Sequence, residues 1–361
     1  MPVDAASSDT VLDVGPAWSR RAEKIKPGRG GTSLYLNKRG GTDHSVPDET
    51  PSRPDSWQAG DNSTLRAVRL TLLLLASAVL TFAQLEGIVD IHVHSDPDSV
   101  PRKLDALDTA RSANQAGVRA IVLKNHWVPT VQLAYTVSKV VPGIQVFGAI
   151  ALNRAVGGVN PEAVKQAAAF SGNKLRIVWM PTFDSENNVR FNKQSTPFAA
   201  VSRDGRLLPE TIEVLKLIAQ HKLVLATGHS SAAEDLLLIR EAKRQGIAQI
   251  IVTHPLYAPI HMTIPEMQEA ARLGAYLELC GNAVLPTQPS DNRTPVAEYA
   301  KTIRAIGPEH IILSGDFGQA ANPPHAEAWK RFLDIMRTAG VSQPDLDLMS
   351  KKNPAKLLGL E

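Results

Sequence analysis

Two histidines stand one residue apart at the end of a short apolar run, in the stretch "GIVDIHVHSDPDS" at residues 87–99. Side chains alternate between the two faces of a β-strand, so residues two apart share a face. The alternation predicts one face with Ile88, Asp90, His92 and His94 and an opposite face with Val89, Ile91 and Val93. Two imidazoles on the same face can share one metal ion.

Histidines and a carboxylate also follow later apolar runs, in "LATGHS", "IVTHP" and "ILSGDFG". If these runs are parallel strands of a barrel, their carboxyl ends converge on one mouth, although the residues are far apart in sequence. Zn²⁺ prefers imidazole and carboxylate ligands, and a catalytic site keeps one position open for water. We therefore predict a site for a divalent ion, favouring zinc, with the candidate ligands His92, His94, His229, His254 and Asp316.

The composition limits the classes of protein to consider. The chain has 361 residues, a formal net charge of +3 and 43% hydrophobic residues, which is typical of a globular protein. Basic and acidic residues number 10 and 9 before residue 84 and 29 and 27 after it, so neither part is a basic patch for nucleic acid. The single cysteine, Cys280, excludes an internal disulfide and a zinc-ribbon site.

The first 83 residues differ from the rest. Residues 1–64 are rich in Gly, Pro, Ser and charged residues with no apolar period, which predicts a disordered or non-native extension. Residues 65–83 place Arg66 and Arg69 before an apolar run that ends at Ala83, as in a secretory signal peptide. We expect an exported protein, periplasmic or secreted, with translation starting near Leu65. An anchor helix or a buried helix are alternatives, but the run is short for a stable membrane span, which needs about 20 residues.

From residue 84 to residue 361, apolar strand-like runs alternate with helix-like stretches. The predicted strands are Ile88–His92, Ala120–Leu123, Gln145–Ala151, Arg176–Met180, Leu223–Ala226, Gln249–Val252, Ala275–Leu279 and Ile311–Leu313. Helix starts carry their usual signals, with Pro and Glu in "NPEAV" and "LPETI" and serine caps in "GHSSAAED". Eight such units predict an α/β fold, a parallel (β/α)8 TIM-type barrel, with a doubly wound open sheet as the alternative.

One connection breaks the alternation. About 30 residues, "PTFDSENNVRFNKQSTPFAAVSRDGRLLPE", separate strand four from its helix. The Asp-Gly pair inside "AVSRDGRLL" predicts a small hairpin. A loop of this length at the carboxyl end of a barrel strand is typical of a lid over an active site.

The segments "VDIHVHSDP", "ATGHS", "VTHP" and "SGDFG" on strands one, five, six and eight resemble the amidohydrolase superfamily of metal-dependent hydrolases, as does the ending "NPAKLLGL". The resemblance covers about residues 87–361. The set "LKNHW", "ALNRAVGGVNP", "VWMPT" and "DFGQAANP" resembles a poorly characterised subgroup of it. The resemblance implies a metal-dependent hydrolase that cleaves an amide, cyclic amide or ester-type bond in a small molecule. Asp316 would then accept a proton from water, and His254 and Lys124 are further catalytic candidates.

One departure from the superfamily concerns the metal count. Its binuclear members carry a carboxylated lysine at the end of strand four, whereas strand four here ends "RIVWMPT". Lys124, at the end of strand two, is the alternative lysine. It could bridge two ions, stabilise an oxyanion as an ammonium group, or pair with Asp90 or Asp96. The site therefore holds one or two ions, with Lys124 as an additional candidate ligand.

Further residues are weaker candidates. Those expected to line the substrate pocket are His126, Asn153, Trp179, Thr182 and Gln319. Cys280 is expected to be a small buried residue. Those expected on the surface are His44, His221, His261, His310 and His325.

The alternative functions are a phosphoesterase, a mononuclear-metal decarboxylase and a barrel that binds a metal or ligand without turnover. Assembly into a homo-oligomer is a further possibility.

Overall fold

The structure is a computed structural model that describes residues 85–288 and 293–361. The predicted extension at residues 1–64 and the signal-peptide-like segment at residues 65–83 lie outside the described residues. None of the helices within the described ranges is long and apolar enough to cross a membrane.

Eight parallel strands form one sheet whose order follows the chain. The strands are β1 (Val89–Val93), β2 (Ala120–Leu123), β3 (Gln145–Ala151), β4 (Leu175–Trp179), β5 (Ser202–Arg203), β6 (Arg206–Leu207), β7 (Val224–Ala226), β8 (Ile250–Val252), β9 (Tyr276–Cys280) and β10 (Ile311–Ser314), of which β5 and β6 form a separate sheet. The two edges of the large sheet meet, because the backbone N–H of His94 donates to the carbonyl of Phe317 and that of Asp316 donates to the carbonyl of His92, both at 2.8 Å. The predicted barrel is confirmed, and the open-sheet alternative was wrong.

Helices follow the barrel strands as predicted. They are α1 (Ala106–Gln115), α2 (Val131–Val140), α3 (Pro161–Ala169), α4 (Glu186–Phe191), α5 (Pro209–Gln220), α6 (Ala232–Arg244), α7 (Ile264–Arg272), α8 (Val296–Ile306), α9 (His325–Thr338), α10 (Gln343–Asp347) and α11 (Asn353–Leu357). The start signals are also confirmed: α3 and α5 begin at proline, and Ser231 forms a capping box with Glu234 at the start of α6.

Two apolar cores surround the strands. One lies inside the barrel and joins Val89 and Ile91 of β1 to Trp179 and, near the amino-terminal end, to Leu357 of α11. The other lies between the strands and the helices and contains Ile88 and Val93. The strand residues are buried on both faces, as parallel sheets require.

A β-bulge in β1 changes which residues share a face. The register of β1 against β2 shifts between Asp90 and Val93, and such a shift rotates the side chains that follow it. His92 and His94 consequently point to the interior, whereas Asp90 points outward to α9, where it contacts His325. The prediction that Asp90 shares a face with the two histidines was therefore wrong.

The insertion after β4 occupies residues 180–208 and contains α4 and the antiparallel β5–β6 pair, which confirms the predicted hairpin. Hydrogen bonds join the insertion to the loops that follow β7 and β8. Ser185 Oγ donates to the His229 carbonyl at 2.9 Å, and Asn187 Nδ2 donates to the Pro259 carbonyl at 2.8 Å. The insertion thus lies beside the carboxyl ends of the strands, and its role as a lid stays a prediction.

Candidate functional site

A cavity of about 560 Å³ opens at the carboxyl ends of the barrel strands. Five of the six candidate metal ligands line this cavity, namely His94, Lys124, His229, His254 and Asp316. The sixth, His92, is completely buried beneath them, and its ring lies 5.3 Å from that of His94 and 5.3 Å from that of His254. The barrel therefore gathers all six predicted residues at one place.

Asp316 is the centre of the arrangement on the β1–β10 side. Its Oδ1 lies 3.1 Å from Nε2 of His92 and 3.1 Å from Nε2 of His94. Its backbone is left-handed, with φ of 48°, a conformation that costs a non-glycine residue on the order of 1–3 kcal/mol and is common at functional sites. Burial raises the pKa of Asp316, but the neighbouring His92 and His94 hold it well below its usual value, so the side chain is a carboxylate.

Glu278 of β9 supports His92 from the opposite side, a role that our sequence analysis missed. Its Oε1 lies 3.0 Å from Nδ1 of His92 and accepts a hydrogen bond from Ser314 Oγ at 2.7 Å. Although burial acts to raise it, the charge of His92 lowers the pKa of Glu278 to about 2. A carboxylate at Nδ1 keeps the proton there and leaves the Nε2 lone pair for a metal. The available signal was an acidic residue inside the apolar run "AYLELC".

Asp90 forms a buried polar network behind β1. Its Oδ2 accepts hydrogen bonds from His325 Nε2 at 2.9 Å and Trp329 Nε1 at 2.6 Å, and its Oδ1 accepts from the backbone N–H of Gly315 at 2.9 Å. A side chain at position 315 would collide with this carboxylate, so the turn before Asp316 requires glycine. The network fixes the turn that carries Asp316.

The remaining histidines differ in their exposure. His325 is only 4% exposed, so its predicted surface position was wrong, because its ring is bonded to Asp90. His221 and His261 are exposed as predicted, although His261 also lines the cavity, and His310 is half-buried. The prediction for His44 falls outside the described residues.

The β7–β8 side of the cavity carries His229 and His254. Nε2 of His254 lies 3.9 Å from Oδ2 of Asp316, and the two histidine rings are 5.6 Å apart. Nδ1 of His229 is buried and has no hydrogen-bond partner among the described residues. Burial lowers the pKa of His254 to about 4 and that of His229 well below its usual value, so both imidazoles are neutral, as metal ligands must be.

Lys124 projects into the middle of the cluster. Its Nζ lies 2.9 Å from Nε2 of His92 and 4.8 Å from the centre of the Trp179 ring. The suggested ion pair with Asp90 or Asp96 is not formed among the described residues, because Asp90 faces the other side of the strand. Burial lowers the pKa of Lys124.

The donor atoms fit a divalent ion. Within residues 85–288 and 293–361, two overlapping groups each bring their ligand atoms within 4.8 Å of one another: His92, His94 and Asp316 form one, and His92, His254, Glu278 and Cys280 form the other. Imidazole nitrogen, carboxylate oxygen and thiol sulfur are the ligand types that borderline ions such as Zn²⁺ prefer. Cys280 is 1% exposed, in agreement with the prediction that it is buried.

The predicted substrate residues divide into two sets. His126 and Gln319 line the cavity. Asn153, Thr182 and Trp179 are fully buried behind it, because their neighbours already enclose them: Asn153 Nδ2 donates to Thr182 Oγ1 at 2.7 Å, and Thr182 Oγ1 lies 2.9 Å from His126 Nδ1. If Thr182 donates its proton to Nδ1, the His126 ring keeps an N–H at Nε2 as a donor.

A protein-family model matches a large part of the chain. The model of a family of unknown function, DUF6282, matches residues 87–278. The chain belongs to this family. The part of the barrel that the family model matches runs from the start of β1 to Glu278 and includes Lys124, while Asp316 lies beyond it. No curated protein matches the chain.

Solved structures share the fold at low sequence identity. A protein assigned as a 2-pyrone-4,6-dicarboxylic acid hydrolase from Pseudomonas putida is 16% identical, with a TM-score of 0.52 over 76% of this chain and 98% of that chain. Organophosphorus hydrolase from Deinococcus radiodurans is 17% identical, with a TM-score of 0.50 over 77% of this chain and 94% of that chain. The shared fold agrees with the barrel that the sequence motifs predict.

Proposed function

We propose that this chain is a metal-dependent hydrolase that cleaves an amide, cyclic amide or ester-type bond in a small molecule, with zinc as its ion. The observation that carries the proposal is the position of Asp316, whose carboxylate lies 3.1 Å from the Nε2 atoms of both His92 and His94 at the edge of a cavity. Cyclic esters belong to this class, in keeping with the pyrone hydrolase that shares the fold.

The residues that would hold the ion are His92, His94, His254 and Asp316, which belong to the groups of close donor atoms, together with His229 and Lys124, which line the same cavity. A divalent ion at such a site polarises the scissile bond and lowers the pKa of water to about 7. Asp316 takes the proton of the attacking water, since its carboxylate is ionised and partly open to the cavity. The same proton then passes to the leaving group, so that the carboxylate is regenerated.

His254 and His126 act on either side of the reacting bond in this proposal. Nε2 of His254 lies 3.9 Å from Oδ2 of Asp316, so its imidazole faces the carboxylate that takes the proton in this proposal. His126 presents Nε2 to the cavity and donates a hydrogen bond to the oxygen on which negative charge develops. Stacking of His126 against His94, with ring centres 4.9 Å apart, fixes the direction of this donor.

Lys124 poses an electrostatic problem that its carboxylation would solve. An ammonium group 2.9 Å from Nε2 of His92 would repel a cation bound at that atom. A neutral amine can attack CO2, releasing one proton and forming a carbamate, which carries a negative charge and two ligand oxygens. We propose that Lys124 is carboxylated in the loaded protein, where its carbamate would hold the ions together with the histidines and would supply negative charge in place of the ammonium.

The hydrolase proposal is tested on the full chain after reconstitution with zinc. The substrates are matched panels of aryl esters, lactones, cyclic amides and aryl phosphates. We expect turnover of one of the first three classes, its loss on chelation and its return with zinc. Turnover confined to aryl phosphates would replace the proposal with a phosphoesterase, and a failure to retain zinc would overturn it.

The role of Lys124 is tested by metal content per chain, measured with and without bicarbonate. We expect two zinc ions with bicarbonate, and one or none in Lys124→Ala whether bicarbonate is present or not. Lys165→Ala is the matched control, because Lys165 is exposed on α3, far from the ligand atoms. One ion in the unsubstituted chain, unchanged in Lys124→Ala, would make Lys124 a charged neighbour and favour a mononuclear site.

We also propose that the protein is exported. The support is the order of basic residues, apolar run and small residues between positions 65 and 83. Expression of the full chain in a bacterial host and sequencing of the mature amino terminus tests this proposal. A mature chain beginning near Gln84 would support it, and one beginning near Met1 would contradict it.

A further inference from the structure

Arg102 is a buried cation at the wall of the cavity, and the proposed hydrolysis does not use its side chain. Its side chain is 5% exposed, and the residue lines the cavity together with His94, Lys124 and Asp316. Its charge reaches the reacting centre, since it contributes to lowering the pKa of His94 and of Lys124.

One carboxylate holds the guanidinium but leaves part of it free. Nε and Nη2 of Arg102 both donate to Oδ2 of Asp98, at 2.8 and 2.7 Å. Nη1 has no hydrogen-bond partner among the described residues. A guanidinium that donates to one carboxylate through Nε and Nη2 can donate to a second planar carboxylate through its remaining N–H groups in a fixed geometry. The free N–H groups are therefore available to a molecule in the cavity.

The backbone holds Arg102 at a fixed position relative to Asp316. Arg102 forms an antiparallel bridge with Gln319, and the N–H of Lys103 donates to the Gly318 carbonyl at 2.8 Å. Gln319 in turn donates through Nε2 to the Asp316 carbonyl at 2.7 Å. A group bound by Arg102 is consequently held at a constant distance from the candidate catalytic carboxylate.

Apolar and aromatic side chains form part of the cavity wall, beside polar ones such as Asn282, Gln288, Arg293 and Glu298. Phe183, Leu256, Tyr257 and Leu279 contribute the apolar and aromatic surfaces. The ring of Tyr257 lies 5.2 Å from that of His229, so the apolar wall extends up to the β7–β8 side of the site. Such a cavity fits an apolar body with one anionic group at its Arg102 end.

We infer that the substrate carries a carboxylate, separate from the scissile bond, which Arg102 binds. The inference rests on the proposed hydrolase function and specifies its substrate class: a small ester, lactone or amide with an apolar or aromatic body and a free carboxylate. Arg102 is then a specificity-determining residue, because a neutral analogue leaves its remaining N–H groups unpaired.

The test uses benzoate and benzamide, which have the same shape but differ in charge. Their binding to the full chain is measured by isothermal titration calorimetry, both zinc-loaded and zinc-free, because benzoate can also bind zinc. We expect benzoate to bind about tenfold more tightly than benzamide in both forms. In Arg102→Gln this preference disappears in the zinc-free protein, while Arg111→Gln, an exposed arginine paired with Asp108, retains it.

A second variant covers the case in which Arg102→Gln fails to fold because Asp98 is left buried without its partner. The double variant Asp98→Asn with Arg102→Gln removes both charges and is expected to lose the preference in the same way. A preference that persists in either folded variant, or that is absent from the unsubstituted chain, would overturn the inference. Since binding needs no turnover, a carboxylate preference without hydrolysis would contradict the proposed function alone.

Discussion

The two sides of the cavity place similar histidines in very different surroundings. On the β1–β10 side, both ring nitrogens of His92 have charged neighbours, Glu278 at 3.0 Å and Asp316 at 3.1 Å. On the β7–β8 side, His254 lies 3.9 Å from Asp316, and Nδ1 of His229 has no partner among the described residues. The first side holds His92 between two carboxylates, and the second side presents His229 and His254 as neutral imidazoles. His94, on the first side, is neutral as well, because burial lowers its pKa to about 3, and its Nδ1 has no partner among the described residues.

This difference indicates a division of labour in binding an ion. Ligand atoms that are already held by fixed partners lose little freedom when an ion binds, so they contribute more to affinity. The bulge in β1 and the left-handed backbone of Asp316 are local distortions on the first side. His254 has a left-handed backbone as well, with φ of 49°, so the second side is also built at a structural cost.

The comparison is tested most severely by substituting one residue on each side. Asp316→Asn is expected to lose retained zinc and to lower hydrolysis by about a thousandfold, because it removes both a ligand charge and the proton acceptor. His229→Asn is expected to lower the zinc content by no more than one ion per chain. Metal analysis after gel filtration measures the zinc content of both variants, and the substrate panels measure the loss of hydrolysis.

Asp108→Asn is the control for Asp316→Asn, since Asp108 is an exposed carboxylate on α1. If His229→Asn loses as much zinc as Asp316→Asn while both variants remain folded, the two sides are equivalent and the comparison fails.

Sequence periodicity was sufficient to predict the barrel but not the directions of the side chains in β1. Period-two alternation placed Asp90 beside His92, and it could not reveal the bulge between Asp90 and Val93, because a bulge depends on pairing with β2. His325 was misplaced for the same reason. Its burial follows from the outward carboxylate of Asp90, more than 200 residues away, and from no pattern within α9.

The candidate ligands could be predicted from the sequence because each lies near or just after the carboxyl end of a strand, and parallel strands of a barrel end together. Glu278 and Arg102 were missed for different reasons. Glu278 lies inside a strand, and Arg102 lies in a loop whose path is defined by contacts with Gly318 and Gln319, more than 200 residues away in sequence. Loop geometry and side-chain pairing over long separations are the parts that periodicity does not encode.

Removing the support of His92 is expected to have an intermediate effect. Glu278→Gln keeps the size of the side chain but removes the negative charge that strengthens the hydrogen bond from Nδ1 of His92, so zinc affinity should fall by about 10- to 100-fold. Titration against a competing chelator measures the change. Glu298→Gln is the matched control, because Glu298 also lines the cavity but pairs with Lys301 at 3.3 Å. An unchanged zinc affinity in Glu278→Gln would show that the preorganisation of His92 contributes nothing to zinc binding.

The smallest effect is expected in the unsubstituted chain, where NMR after chelator treatment follows the titration of the histidine rings. Burial and the charge of Lys124 lower the pKa of His92, but Asp316 and Glu278 together raise it above 6.5, whereas burial lowers that of His254 to about 4. His92 should therefore titrate at a higher pH than His254. Equal titration of the two rings would contradict the proposed asymmetry.

The same two shifts act on stability with opposite signs. A raised pKa means that the folded chain holds the His92 proton more tightly, so this contribution stabilises the fold below pH 6.5 and is lost as the pH rises through the folded value. The lowered pKa of His254 destabilises the fold as the pH falls from 6.5 towards about 4, because only the unfolded chain takes up that proton. His254→Gln should therefore make the chelated protein less sensitive to acid between pH 6.5 and about 4. Greater acid sensitivity in this variant would mean that His254 is already charged in the folded chain and that both sides carry protons alike.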